Sequence, residues 1–215
     1  MVTKMERKAL KAYIWDLDGT LLDSYEVIVS SVLNACRSFG ICVTEEEAHR
    51  QVIRHSVTFY LQTVAESHDL PFDTLMNRYS TISGQRKDEI RPMPYAKEAL
   101  GALKQHGARH FVYTHRGKTT EAVLGRLGLM DCFTEIVTSQ NGFRRKPEPD
   151  AILYLLEKYG LDPENSFYVG DRTIDMDCAK NAGIQGILFL PEGSPCVPNG
   201  AESIIVHDLK EIGEE

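Results

Sequence analysis

Short apolar runs and segments of helical period alternate along this chain, and the alternation changes character twice. Residues 12–15 (AYIW) are apolar without a polar break, the pattern of a strand covered on both faces in a parallel sheet. After Ser24 the period changes: Tyr25, Ile28, Val29, Val32, Cys36 and Phe39 recur at helical spacing, and Gly40 supplies a stop. Thr44 followed by Glu45, Glu46 and Glu47 offers a capping box for a second helix. A break at Arg54, His55 and Ser56 precedes a third, with Val57, Tyr60, Leu61 and Val64 on one face. Pro71 opens a fourth, carrying Phe72, Leu75, Met76 and Tyr79. Nothing up to Arg91 reads as a strand, so this is an all-helical block of about 70 residues, enough for a bundle resting on a partner.

Pro92 and Pro94 mark the exit from that block into βα repetition. Helices are expected at 94–106, 118–127, 149–159 and 173–182, each followed by a closing Gly, at 107, 128, 160 and 183. Strands are expected at 109–114 (RHFVYT), 133–138 (FTEIVT), 166–169 (SFYV), 186–190 (GILFL) and, more weakly, 204–206. The alternation predicts an α/β fold with a doubly wound, mostly parallel sheet. The expected domains are an α/β core formed by residues 1–22 and 92–215, with an inserted all-helical domain at 23–91. The loop 191–199, rich in Pro and Gly, reads as irregular.

Bulk properties narrow the partners. A chain of 215 residues fits one large domain or a core with an insert, and 42% hydrophobic with 26% charged residues is ordinary globular composition. A net charge of −7 with no Lys/Arg block argues against a nucleic-acid partner. Five cysteines, an odd number without a CxxC pair, fit reduced thiols better than a disulfide framework or a zinc site. The charged stretch from Met1 to Lys11 lacks the apolar core of a signal peptide. No apolar run approaches the ~20 residues of a membrane helix. A cytoplasmic protein with no membrane partner is expected.

Candidate chemistry collects at the expected strand ends. In an open parallel sheet, ligands bind outside the carboxyl ends of the strands, and those ends carry Asp16 and Asp18, Thr114, and Asp171. Asp175 follows Asp171 by four residues on the same helical face, and Lys146 lies in the loop 142–147. In extended chain, residues two apart point to one side, so Asp16 and Asp18 converge. Buried unpaired charge is costly; the two acids fit a cation or proton-transfer site, or else a solvated turn. Several acids crowd together only if a cation or a proton neutralises them. Mg²⁺ takes oxygen ligands, typically one or two carboxylates with waters and substrate phosphate. A lysine and a threonine hydroxyl suit the remaining phosphate oxygens.

The ordered set DLDGT (16–20), Thr114, Lys146 before a proline and GDRTID (170–175) resembles the haloacid dehalogenase superfamily of phosphohydrolases. The arrangement looks most like its phosphoglycolate phosphatase and β-phosphoglucomutase branch, which carries a helical cap where this chain has residues 23–91. The resemblance implies a Mg²⁺-dependent phosphatase acting on a small phosphorylated metabolite such as phosphoglycolate. Asp16 would attack phosphorus and carry an aspartyl-phosphate. Asp18, with its pKa shifted upward, would protonate the leaving alcohol and then deprotonate water. Thr114 and Lys146 would hold the transferring oxygens. The metal set would be the Asp16 carboxylate, the Asp18 backbone carbonyl and Asp171, with Asp175 orienting Lys146 or a metal-bound water. The backbone N–H of His115 would meet phosphate while its side chain lines the entrance. Arg54 and His55 either hang over the site and contact the substrate or form a solvated turn. Asp18 argues against C–halogen cleavage, whose leaving halide needs no proton. A β-phosphoglucomutase-type isomerase and a non-catalytic binding protein of the same fold remain as alternatives, and the chain is expected to be a monomer or homodimer.

Other candidates have plainer readings. Gly117, Lys118 and Thr119 resemble the tail of a P-loop, but the required first glycine falls on Val112, so Lys118 reads as an exposed first-turn residue. Asp23 is expected in the N-terminal cap of the first helix, and Asp177 as a solvated helix acid. Arg172 either reaches phosphate or pairs with a nearby acid. Arg144 and Arg145 read as surface charges beside the Lys146 loop. The seven histidines show no metal-ligand spacing.

Overall fold

In the computed structural model, which describes residues 10–213, the apolar run at 12–15 becomes the centre of the sheet. Residues 1–9, most of the stretch on which the signal-peptide reading rests, lie outside the described residues. In chain order the elements are β1 (Ala12–Trp15), β2 (Leu22–Asp23), α1 (Tyr25–Arg37), α2 (Glu45–Arg54), α3 (Val57–Ser67), α4 (Phe72–Gln85), β3 (Arg91–Pro92) and α5 (Ala96–Gln105). They continue as β4 (Arg109–Tyr113), α6 (Thr120–Leu127), β5 (Glu135–Val137), α7 (Asp150–Tyr159), β6 (Ser166–Gly170), α8 (Thr173–Asn181), β7 (Gln185–Phe189) and β8 (Ile204–Val206). The main sheet has the order β5-β4-β1-β6-β7-β8, with every pair parallel.

Burial explains why β1 has no polar break. Tyr13 and Trp15 join an apolar cluster on one face that includes Leu100 of α5 and Val123 of α6. Ala12 and Ile14 join the opposite cluster with Ile152 and Leu155 of α7 and Ala179 of α8. Strict alternation sends successive side chains into two different cores, so no position is left to face water. Removing either anchor, for example by Ile14→Ala, would cost about 2–5 kcal/mol.

The helices α1–α4 build a third cluster of their own around Val32, Leu61 and Leu75. Thr44 accepts from Glu47 N at 3.2 Å and starts α2, and Ser56 accepts from Phe59 N at 3.0 Å and starts α3. The chain leaves and re-enters the core through a two-residue antiparallel pair, Leu22 opposite Pro92 and Asp23 opposite Arg91. Two residues carry no periodicity, so this pair was invisible in the sequence pattern. Asp23 is therefore an exposed strand residue, not a helix cap. Ser24 holds the cap position instead, and its hydroxyl donates to Asp18 Oδ1 at 2.6 Å rather than to the helix. Asp177 is partly buried and accepts from Asn199 Nδ2 at 3.0 Å. No helix among the described residues is long and apolar enough to cross a membrane.

One buried polar contact ties β1 to β4: Trp15 Nε1 donates to His110 Nδ1 at 3.1 Å. Burial brings the His110 pKa from 6.5 down to about 4. The unfolded chain therefore takes up a proton below pH 6.5 that the folded chain refuses until about pH 4, so acidification across this window favours unfolding. The expected loss from this group is on the order of 2–3 kcal/mol. In urea unfolding, His110→Gln, which keeps an acceptor for Trp15, should close its stability deficit against the unaltered protein as the pH falls from 7 to 4.5. An unchanged deficit would refute the coupling.

Candidate active site

β1 is flanked by β4 and β6, so the three strand ends that carry the predicted chemistry lie side by side. β4 and β5 continue the chain to one side of β1 and β6 starts the other side, which makes this the switch point of the sheet. Asp16 N donates to Val169 O at 2.8 Å and Thr114 N to Val137 O at 3.0 Å, which extends the ladders by one residue and fixes both backbones. Gly19 turns the chain with φ +82°, and a Cβ there would overlap Tyr25 and Asp171. A Cβ on Gly170 would overlap Asp175. The acids can close on one another only because these two positions lack side chains.

Lys146 is the hub. Its fully buried ammonium lies 2.9 Å from Asp16 Oδ1 and 2.7 Å from Asp175 Oδ1. Burial opposes its charge, but Asp16 and Asp175 outweigh that and hold its pKa above the usual lysine range. Asp175 Oδ2 accepts from Arg172 N at 3.1 Å, so both Asp175 oxygens are committed to positioning. Burial pushes the Asp16 carboxyl up against the pull of Lys146. Asp16 Oδ2 is buried and has no hydrogen-bond partner, and the Arg172 guanidinium stands 3.9 Å from it.

Asp171 accepts from Thr20 Oγ1 at 3.2 Å and from the Tyr25 hydroxyl at 2.6 Å. Burial, reinforced by repulsion from Asp175 and Asp16, brings its pKa up to about 7. Asp16, Asp171 and Asp175 each present an oxygen within 4.8 Å of the others. An unpartnered oxygen on Asp16 beside two further buried carboxylates is a donor set that a hard cation would fit. Asp16 and Asp171 have the oxygens to hold a hard divalent ion; Asp175, tied to Lys146 and Arg172, would support them.

Asp18 departs from expectation. Its carboxylate receives Arg116 Nη2 at 2.6 Å, Arg116 Nε at 3.1 and 3.2 Å, and the Ser24 hydroxyl at 2.6 Å. Burial alone would raise its pKa, but Arg116 and Ser24 together lower it. The anticipated upward shift is thus reversed in this arrangement. Thr114 is buried and accepts Arg116 N at 3.1 Å, which leaves its own hydroxyl proton to donate.

The other candidates fall in several places. His115 borders the cleft, but its ring is turned inward: Nε2 accepts from Lys146 N at 3.0 Å. Burial, then the neighbouring Lys146, brings its pKa down to about 2, so at the cleft border it is a neutral brace for the Lys146 loop. Arg54 and His55 are exposed and do not line the cleft. α2 ends with Arg54 facing outward, and His55 packs on Phe59, with ring centroids 4.5 Å apart. Their neighbours Val52, Ser56, Val57 and Thr58 form the wall instead. Arg144 pairs with Asp150 and Glu148 on the surface. Arg145 reaches from the core to Thr58 Oγ1 of α3 at 3.4 Å. Lys118 is exposed at the cleft edge.

Arg116, Tyr25 and Thr20 were missed as site residues. Arg116 stands two positions beyond a strand end, a signal that was available. Tyr25 was masked by its place in an apolar helical period. Together the two layers enclose a cleft of about 590 Å³ between the strand ends and α1–α4.

Comparison with known proteins agrees with this geometry. The chain is 32% identical over 181 residues to a phosphoglycolate phosphatase of Agrobacterium fabrum, covering 81% of this chain and 78% of that one. It is 26% identical over 221 residues to an N-acetylmuramic acid 6-phosphate phosphatase of Pseudomonas aeruginosa, covering 94% and 93%. The fold matches that of a predicted phosphoglycolate phosphatase from Haemophilus somnus with a TM-score of 0.82, at 23% identity, over 94% of this chain and 96% of that one. The model of the haloacid dehalogenase-like hydrolases matches residues 13–189, most of the chain, and the protein belongs to that family.

Proposed function

We propose that this hydrolase is a Mg²⁺-dependent phosphatase that cleaves a small, phosphoglycolate-like metabolite through an aspartyl-phosphate on Asp16. The observation that carries the reading is the Asp16 carboxylate: anchored by Lys146 through Oδ1, it keeps Oδ2 unpartnered beside the cleft. An oxygen held that way is a nucleophile with a fixed line of attack. The phosphatase names of two relatives support the same chemistry.

In this reading Lys146 and Arg172 draw phosphoryl oxygens toward Asp16, and the free Thr114 hydroxyl proton donates to another. Asp175 orients Lys146. Once a substrate has drawn Arg116 off it, Asp18 gives a proton to the leaving oxygen in the first half-reaction and takes the proton of the hydrolytic water in the second. A divalent ion held by Asp16, Asp171 and the Asp18 backbone carbonyl would offset the repulsion between carboxylate and phosphate. Residues 23–91 act as a cap whose closure over the cleft excludes water. The unit is joined to the core by the β2–β3 pair.

With Mg²⁺ the protein should release phosphate from p-nitrophenyl phosphate and from 2-phosphoglycolate. Asp16→Asn should lower the turnover about 10³-fold or more while the circular dichroism spectrum is retained. Retained turnover in Asp16→Asn would sink the reading. A hexose 1-phosphate should give free phosphate and no isomerised sugar.

Mg²⁺ should also protect the fold. At a hundred times its Kd it should raise Tm by about 5 °C. Asp171→Asn should abolish that shift, and an equal shift in the variant would place the ion elsewhere.

A further inference from the structure

We infer that Arg116 is the specificity residue of this site, exchanging Asp18 for a second anion carried on the leaving half of the substrate. The inference rests on the phosphatase reading above and adds which phosphate esters the site selects.

The first support is the set of bonds Arg116 makes. Its side chain is only 8% exposed, yet it lines the cleft. The guanidinium donates to both Asp18 oxygens, at 2.6, 3.1 and 3.2 Å, and through Nη1 to Thr119 Oγ1 at 3.0 Å. The fork is therefore spent on protein groups, and it lies across the carboxylate that a leaving oxygen must reach. A substrate has to draw the guanidinium off Asp18. A planar guanidinium leaves one carboxylate readily only for another anion of matching geometry. A neutral leaving group would strand a nearly buried charge, which is strongly unfavourable.

The second support is how charge is distributed around the cleft. Residues 25–84 contribute to its wall, yet among the described residues that wall carries no charged side chain. All the charge is on the core side, where Arg116, Lys118, Arg145 and Arg172 face only Asp16 and Asp18. A chain of net charge −7 thus presents excess positive charge along the lining of this cleft. Arg172 lies against Asp16, where the transferred phosphoryl group belongs. Arg116 and its neighbours remain for a second negative group, a carboxylate or another phosphate. Both offer the paired oxygens that the fork takes from Asp18.

The test compares esters of one size that differ in that group. 2-Phosphoglycolate carries a carboxylate, ethane-1,2-diol bisphosphate a phosphate, and 2-hydroxyethyl phosphate a neutral hydroxyl. The unaltered protein should favour the better anionic substrate over the neutral one by about 10²-fold or more in kcat/KM, and whichever anion leads identifies its source. Arg116→Gln should bring that ratio to within about threefold, mainly through KM for the anionic ester, while Arg116→Lys should keep part of the preference. Thermal shift with 2-phosphoglycolate reads the same preference as binding, without turnover. A ratio near one in the unaltered protein, or an equal ratio in Arg116→Gln, would overturn the assignment. If p-nitrophenyl phosphate is not hydrolysed at all, the phosphatase reading fails instead. Arg116 is then judged by binding alone: a thermal shift lost in Arg116→Gln supports it, and an equal shift overturns it.

Discussion

The arrangement at the sheet edge depends on one buried cation. Lys146 Nζ bridges Asp16 at 2.9 Å and Asp175 at 2.7 Å inside a site from which its side chain sees no solvent. Three buried carboxylates within 4.8 Å of one another would not stay charged in a folded protein without compensation. Lys146 supplies part of it, Arg172 stands 3.9 Å from two of the acids, and Asp171 responds with a pKa near 7. The lysine is itself held from behind, because its backbone N–H is fixed by the neutral ring of His115. Position, charge and ionisation at this edge are consequences of that bridge.

The fold was largely legible because its elements carry strong periods. The strand at 12–15 shows a continuous apolar run because its two faces feed two cores, and the βα alternation after residue 92 adds the other five strands of the parallel sheet. Thr44 and Ser56 announce their helices through hydroxyls that reach back to the backbone. The β2–β3 pair was not legible, since pairing across about 70 residues of sequence leaves no local trace. Asp23 was read as part of the cap region of α1 and directly precedes the cap Ser24; only its pairing with Arg91 left no trace.

The acids and the lysine were legible as a set because strand ends converge in an open parallel sheet. What each of them touches was not. Asp18 was expected to have a raised pKa, yet Arg116, 98 positions away, occupies it and lowers that pKa. His115 borders the cleft, and what its position could not reveal is that its ring also braces Lys146. Arg54 and His55 could hang over the site or form a solvated turn, and the end of α2 turns them outward and brings Ser56 to Thr58 to the wall. Long-range pairing decides these roles, and single positions do not encode it.

The central claim is that Asp16 itself accepts the phosphoryl group. Rapid acid quench during turnover of ³²P-labelled 2-phosphoglycolate, followed by peptide mapping, reads this directly. The account predicts label on the peptide that carries Asp16, released by hydroxylamine as an acyl phosphate should be. Label on another residue, or steady turnover with no trappable protein-bound phosphate, would contradict it.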